Sequence, residues 1–447
     1  MRRLLVISYR CPPQATAGVH RTLRIIRHLP NFGWTPIVLT VKRAVEGVYD
    51  PILLAEVSSQ AVIYRANSIE PTRWIDFRSR KGQEAVDIQI DKRPLRGFMY
   101  AVTLAFRAGY RLTIKRWLPV SRSRVGWLPF AINLGYSLIK RMRVDAIYAT
   151  GPPFVAHVVG CLLKKCTGIP LVLDYRDAWT LDPNGPNSSR LRHFVNEWLE
   201  QFVMDAADRI VVCTEQMAKA YVGKYQKRVV AKLITIPNGF DREEFRGLRY
   251  SKPKDNKFNI VYAGSFFGRR RPDTFLTALR ELVDELPYLK NDLRFVYAGK
   301  APNEMLVLID RLNLRPIVHL LPFLSHRSAL ELMVNAQLLL LVVSDTEGSD
   351  MIATSKLYEY IATGVPILAL SPPGAASQVL KRTRTGLVIS PQDVAGTKDC
   401  LLTIYRNRRG SIPGIAPDSE AIAEYDFQRL TAKWAQLFGD LVYNRSN

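Results

Sequence analysis

The sequence predicts an α/β protein of two Rossmann-like, doubly wound domains facing each other across a cleft. Three observations carry this. Apolar strand-like runs alternate with amphipathic helical patterns along the 447-residue chain, the rhythm of a parallel sheet built from βαβ units. Near the midpoint a turn cluster, Pro237-Asn238-Gly239-Phe240-Asp241, and a polar stretch at 251–256 interrupt that rhythm. Beyond them the alternation starts afresh, and two such domains in tandem place a ligand crevice at the carboxyl ends of their strands.

Taken in order, residues 4–9 read as a strand, 12–18 as a loop, 20–29 as an amphipathic helix and 35–40 as the next strand. Residues 146–148, 171–174 and 210–212 continue the first sheet, with a helix around 192–207. In the second half the strands are 258–262, 293–298, 318–320, 338–343, 367–370 and 387–389. Residues 425–442 close the chain as an amphipathic helix. The expected domains are therefore 1–240, 241–424 and a terminal helix, 425–447.

Apolar residues make up 47% and charged ones 23%, globular values that argue against disorder. The five cysteines are scattered, with no CxxC and no metal-ligand spacing, which favours a reduced, cytoplasmic setting. The opening apolar run is too short for a secretory signal, and no stretch reaches the length of a membrane span. Net charge is +23, and residues 71–144 hold 16 Lys/Arg against 4 Asp/Glu. Over half of the excess thus lies in about a sixth of the chain, which marks contact with something anionic. Arg107, Arg111 and Lys115 recur every four residues and form one helical stripe, with Phe106, Tyr110 and Trp117 nearby. Residues 126–142 add a second helix carrying Trp127 and Phe130. Basic amphipathic helices with aromatics lie on anionic membranes, so Arg107, Arg111, Lys115 and Trp117 are the expected membrane contacts. A core helix with a solvated basic face is the alternative. No nucleic-acid-binding motif accompanies the charge.

The most informative stretch runs from the apolar segment 338–343 through a polar loop, 344–354, into Ser355-Lys356-Leu357-Tyr358-Glu359-Tyr360 and then Gly364-Val365-Pro366. A helix starting at such a loop aims its unpaired N–H groups, with the hydroxyls of Thr354 and Ser355, at whatever fills the crevice. Glu359 lies one turn further on, where an acceptor-only carboxylate can take both hydroxyls of a ribose. An amphipathic helix with a solvated Glu and Lys is the plain alternative. Gly264-Ser265-Phe266-Phe267-Gly268-Arg269-Arg270-Arg271 follows the first strand of the second domain, and its guanidinium forks suit a diphosphate. Gly18 closes the first strand-to-helix loop, which is not a G-x-G-x-x-G. Tyr148-Ala149-Thr150-Gly151-Pro152-Pro153 and Asp174-Tyr175-Arg176-Asp177-Ala178-Trp179 are strand ends that face the crevice. Asp177 is there the candidate base and Arg176 a phosphate or acceptor contact; an Asp–Arg pair holding the loop is the alternative.

Several of these motifs, in this order, resemble the retaining glycosyltransferases of family 4, which have the GT-B fold. The resemblance covers most of the chain, 41–140 least. It implies that Glu359 holds the donor ribose and that Ser355, Lys356, Gly18, Gly264, Ser265, Arg269 and Arg270 form the nucleotide-sugar site. Arg270 matches the lysine that neutralises the leaving diphosphate. The family's first glutamate, which touches the donor sugar, falls at Met351, so the chain departs from the pattern there, with Asp350 next door. Gly151, Arg176, Asp177 and Trp179 resemble the acceptor side of bacterial members, and the Pro-Asn-Gly turn matches the family's domain junction. The implied reaction moves a sugar from a nucleoside diphosphate sugar to a hydroxyl, with retention. No cofactor is expected beyond this donor, and without an Asp-x-Asp motif no metal. The implied acceptor is a lipid-linked glycan in envelope polysaccharide assembly, at the inner face of the cell membrane. A nucleotide-sugar epimerase of the same fold, and a non-catalytic membrane or nucleic-acid binding protein, stand as alternatives.

Overall fold

Residues buried on both faces need a central parallel strand, and the first half supplies them in quantity. In the computed structural model, which describes residues 1–14, 17–42, 53–54, 60–69, 124–182, 190–248, 250, 255–266 and 270–446, they form a seven-stranded sheet. Its members are β1 (Arg2–Ser8), β2 (Trp34–Val41), β3 (Val62–Ala66), β4 (Ala146–Gly151), β5 (Leu171–Tyr175), β6 (Arg209–Val212) and β7 (Leu233–Thr235). Their order is β3-β2-β1-β4-β5-β6-β7, all parallel, with Leu4 beside both Pro36 and Ala146. Edge strands β3 and β7 are short and mostly half-buried, and they carry no long apolar run that would announce them.

The helices α1 (Ala17–His28), α2 (Leu128–Met142), α3 (Val155–Thr167), α4 (Arg190–Ala206) and α5 (Glu215–Tyr225) cover this sheet. The expected membrane face of 126–142 needs correction at Trp127. That ring is fully buried, edge-on to Tyr9 at 5.3 Å, and α2 buries Ala131, Gly135, Leu138 and Ile139. Phe130 packs, partly buried, against the same core. Arg107, Arg111, Lys115 and Trp117 lie outside the described residues, as does Arg269.

The second sheet holds β8 (Phe258–Ala263), β9 (Leu293–Ala298), β10 (Val318–Leu321), β11 (Leu338–Val342), β12 (Ile367–Leu370) and β13 (Gly386–Ile389), ordered β10-β9-β8-β11-β12-β13 and again parallel. Helices α6 (Asp273–Glu285), α7 (Asn303–Arg311), α8 (His326–Val334), α9 (Ser355–Thr363), α10 (Ala375–Thr383) and α11 (Val394–Arg406) flank it. Strand order reverses between β1 and β4 in one sheet and between β8 and β11 in the other. Those two switch points are where open α/β sheets take ligands.

The chain crosses between domains twice, and the crossings touch. The Phe240 N–H donates to the Tyr425 carbonyl at 3.0 Å, and the Phe427 N–H returns to the Phe240 carbonyl at 2.8 Å. Only glycine fits at 239, because a Cβ there would lie 2.1 Å from the Tyr425 carbonyl oxygen. The closing helix α12 (Phe427–Ser446) then packs on the first domain. Its Trp434 is fully buried edge-on to Tyr148 at 5.2 Å, and Phe438 meets Trp34 at 5.6 Å. Among the described residues no helix is long and apolar enough to cross a membrane.

Candidate functional site

The loops that leave the two switch points enclose a cavity of about 430 Å³ between the domains. Gly18 and Arg21 from the start of α1 form part of its first-domain wall, with Arg176, Asp177 and Asp182 after β5, and Thr214 and Met217 beyond β6. The second domain contributes Gly264, Ser265 and Arg270 after β8, and the run from Met351 to Lys356 that leads into α9. Residues far apart in sequence thus meet because all follow strand ends.

The anion-binding character is concentrated on the second-domain wall. Helix α9 begins with Thr354 as N-cap, yet the threonine side chain makes no capping bond. Its Oγ1 is buried without any hydrogen-bond partner among the described residues. An uncapped first turn leaves N–H groups and positive dipole charge for a ligand. Beside it the Lys356 Nζ sits 3.6 Å above the Tyr262 ring centroid. Burial, followed by the charge of Arg270, holds that amine well below the ordinary lysine range, against the pull of Glu359. An arriving dianion reverses this balance, because it favours the ammonium form.

Glu359 is placed differently from the other residues expected at the nucleotide site. It is 8% exposed, one turn into α9, and does not line the cavity. Its Oε1 accepts from the Arg24 Nη2 at 2.9 Å, while Oε2 makes no hydrogen bond among the described residues. Met351 does line the cavity, 7% exposed, and packs into the first domain's core, with its carbonyl accepting from the Thr214 hydroxyl at 3.0 Å. Asp350 is exposed and absent from the cavity wall, so this apolar side chain, not the neighbouring carboxylate, occupies the departure from the family pattern.

On the first-domain side Arg176 is a buried brace. Its Nε donates to the Gly151 carbonyl at 3.1 Å and its Nη2 to the Pro152 carbonyl, which ties the loop after β4 to the loop after β5. Gly18 allows this, since a Cβ there would meet the guanidinium at 1.6 Å. Asp177 forms no ion pair with it and no hydrogen bond among the described residues. The carboxylate is exposed at the cleft wall but crowded by protein. That enclosure lifts it above the usual carboxylate range, against Arg176, Arg270 and Arg10. Gly151 and Trp179 stand behind the wall, with Trp179 stacked on Phe154 at 4.7 Å. His157 is buried, its Nε2 3.1 Å from the Asp174 carbonyl oxygen, and burial pushes it down to about 4.

Sequence reasoning missed the pair that anchors this wall. Arg21 grips the buried Asp174 through Nε at 3.2 Å and Nη2 at 3.1 Å, and it donates to the carbonyls of Ile236 and Pro237. Tyr148 and Thr150 hydroxyls also donate to Asp174, at 2.7 and 2.9 Å. Burial opposes ionisation of Asp174, but Arg21 and these donors outweigh it and hold the carboxyl below its ordinary value. Polar residues in the apolar strand and helix patterns were the available signal.

Residues 17–239 match the family model for a Glycosyl transferase 4-like domain, and residues 246–416 that for Glycosyl transferases group 1. Together the two matches span most of the chain, and it belongs to the glycosyltransferases that join these domains in this order. A D-inositol 3-phosphate glycosyltransferase of a Nocardioides species is 26% identical over 297 residues, 60% of this chain and 62% of the relative. The chain therefore spans about three fifths of the length of that curated relative. Sucrose-phosphate synthase from Thermosynechococcus elongatus superimposes with a TM-score of 0.68 at 15% identity, over 99% of this chain and all of that one. Anabaena HepE, solved with UDP-glucose, gives a TM-score of 0.63 at 14% identity, over 98% of this chain and all of that one. The fold is GT-B.

Proposed function

We propose that the chain transfers a sugar from a nucleoside diphosphate sugar to a hydroxyl acceptor in the interdomain cleft. The observation that carries this reading is the uncapped start of α9, with the orphaned Thr354 hydroxyl and Lys356, set beside Arg270 in the cavity. Such donors, fixed before the ligand arrives, stabilise the charge that develops on a departing diphosphate. Gly264 and Ser265 give the backbone close approach, Arg269 adds a cation, and the unused Glu359 Oε2 is the acceptor for a ribose hydroxyl. Asp177 acts as the acceptor-side base, since its raised value brings it nearer to neutrality. HepE was solved with UDP-glucose, which favours a uridine donor. Retention, a lipid-linked glycan acceptor, envelope polysaccharide assembly and attachment through 71–144 to the inner membrane face complete the proposal. They rest on the family resemblance and on charge distribution.

Thermal unfolding with UDP, GDP, ADP, dTDP and CMP tests the donor site. A diphosphate at 100 times its Kd adds about 2.7 kcal/mol to native stability, a shift of several degrees. The shift is expected to be selective for one base and to disappear in Lys356→Ala. No shift with any diphosphate overturns the reading. Asp177→Asn is expected to keep the shift while turnover with acceptor falls about 100-fold or more. Donor conversion at full rate without acceptor identifies an epimerase instead.

A further inference from the structure

Helix α1 has a second working face. Gly18 and Arg21 look into the cleft, whereas His20, Leu23 and Arg27 lie on the opposite side at 3.6 residues per turn. There they border another cavity, of about 390 Å³, together with Glu244, His326 and Leu330. His20 belongs to the first domain, Glu244 to the hinge turn (Arg242–Phe245) and His326 to the start of α8 in the second domain. A nitrogen from each imidazole and a carboxylate oxygen of Glu244 all lie within 4.8 Å of one another. The two rings face each other with centroids 4.2 Å apart, and His326 Nε2 is 3.0 Å from Glu244 Oε2.

Two features of this group exceed what a domain contact needs. His20 makes no hydrogen bond among the described residues, although it borders a cavity that Arg27, Glu244 and Ser325 also line. The ring is half-buried, so a nitrogen lone pair stays open to a ligand that enters from the cavity. The surroundings also leave room for a cation. Asp241, Glu244 and Glu359 supply three carboxylates, while Arg24 and Arg27 supply two guanidinium groups to pair with them.

We propose that His20, Glu244 and His326 form a divalent transition-metal site, with zinc the ion their chemistry suits, which staples the two domains at the hinge. Two imidazoles and a carboxylate are a zinc donor set, with bonds of about 2.0–2.2 Å, and a fourth position faces the cavity and its water. To meet one ion at those lengths the two rings turn from their present 34° tilt, so that both in-plane lone pairs converge beside the Glu244 carboxylate. The ion takes the place of the proton shared by His326 and Glu244, and His20 supplies the lone pair that has no other use. The carboxylate is oriented by Arg24, whose Nε donates to Glu244 Oε1 at 2.9 Å and whose Nη2 donates to Oε2 at 2.5 Å. That bond fixes the direction of the remaining lone pairs, as outer partners of metal sites do. The site lies across α1 from the cleft, so the ion sets how the domains are held and does not touch the transferred sugar.

Tag-free full-length chain, stripped with chelator, is titrated with zinc chloride by calorimetry and with cobalt(II) by visible absorption. One saturating equivalent, tetrahedral cobalt bands and a higher Tm with zinc are expected. His20→Ala is expected to weaken zinc binding at least tenfold while leaving the Tm of the metal-free protein within about 2 °C of parent, since this half-buried ring holds no hydrogen bond among the described residues and gives up only its stacking on His326. His326→Gln, which retains a donor for Glu244, is expected to weaken it similarly. Cys166→Ser controls for the exposed thiol and is expected to bind normally. Absence of saturable binding, full binding in both histidine variants, or loss of binding in Cys166→Ser each overturns the site.

Discussion

Arg24→Met removes the cation on which the hinge converges while keeping the aliphatic stem. Arg24 is 1% exposed and makes four charge-assisted or carbonyl bonds, to both oxygens of Glu244, to Glu359 and to the Gly239 carbonyl at 2.7 Å. Breaking a buried pair from one side costs about 3–5 kcal/mol, because the partner charge stays desolvated. The Glu359 bond adds about 1.5–3 kcal/mol. Some of this is recovered, since Glu244 keeps His326 and can take up a proton. A net loss of about 4 kcal/mol is therefore expected, or about 10 °C in Tm for domains of this size. Scanning calorimetry at pH 8 and pH 5 reads it. The loss is expected to shrink at pH 5, where Glu244, no longer held down by Arg24, protonates more readily. A fall of less than about 2 °C at pH 8, or an equal fall at both pH values, refutes the argument that Arg24 neutralises the hinge.

Trp434→Ala removes a fully buried ring that seats α12 on Tyr148 and lies against Phe438 of the same helix, and is expected to cost about 3–5 kcal/mol. Urea unfolding checks it, and proteolysis should then release the end of the chain first. Acid is expected to act on the same junction. Burial raises Asp241 and Glu244, but His28 and Arg27 around the first, and Arg24 and His326 around the second, hold both below their ordinary values. Asp174 behaves alike through Arg21. The stability these groups contribute is fully present above the unfolded carboxylate values near about 4, and is lost as pH falls through the lower folded values. Tm measured from pH 8 downward should stay nearly level to about pH 5 and fall steeply below about pH 4.

The two sheets were legible because central parallel strands must be apolar on both faces. The run at 338–343 can be little else between a polar loop and a helix. Strand ends then implied the crevice, and Gly18, Arg176, Asp177, Gly264, Arg270, Ser355 and Lys356 do meet around one cavity. Trp127 was misread because an aromatic beside basic residues looks the same in sequence whether it faces lipid or the Tyr9 ring. The hinge turn at 237–241 was legible, but the ion pairs that hold it were not. Arg21 is 153 positions from Asp174, and Arg24 is 220 from Glu244 and 335 from Glu359. Periodicity reports which face of a helix is buried, but not which distant carboxylate waits there.

That hidden network bears on how the cleft and hinge act together. Arg21 and Arg24 are neighbours on α1, one holding Asp174 behind the cavity wall and the other holding Glu359 of α9. Both also clasp the Pro237-Asn238-Gly239 turn, through the Pro237 carbonyl at 2.7 Å and the Gly239 carbonyl at 2.7 Å. Under the proposed function a ribose takes the unused Glu359 oxygen while Arg24 keeps the other. The carboxylate then bridges ligand, first-domain helix and hinge turn. A change in domain separation must stretch the Arg24–Glu359 bond, so donor binding and domain closure share one free energy. Weakening Arg24 should therefore lower donor affinity as well as stability, although Arg24 does not line the cavity.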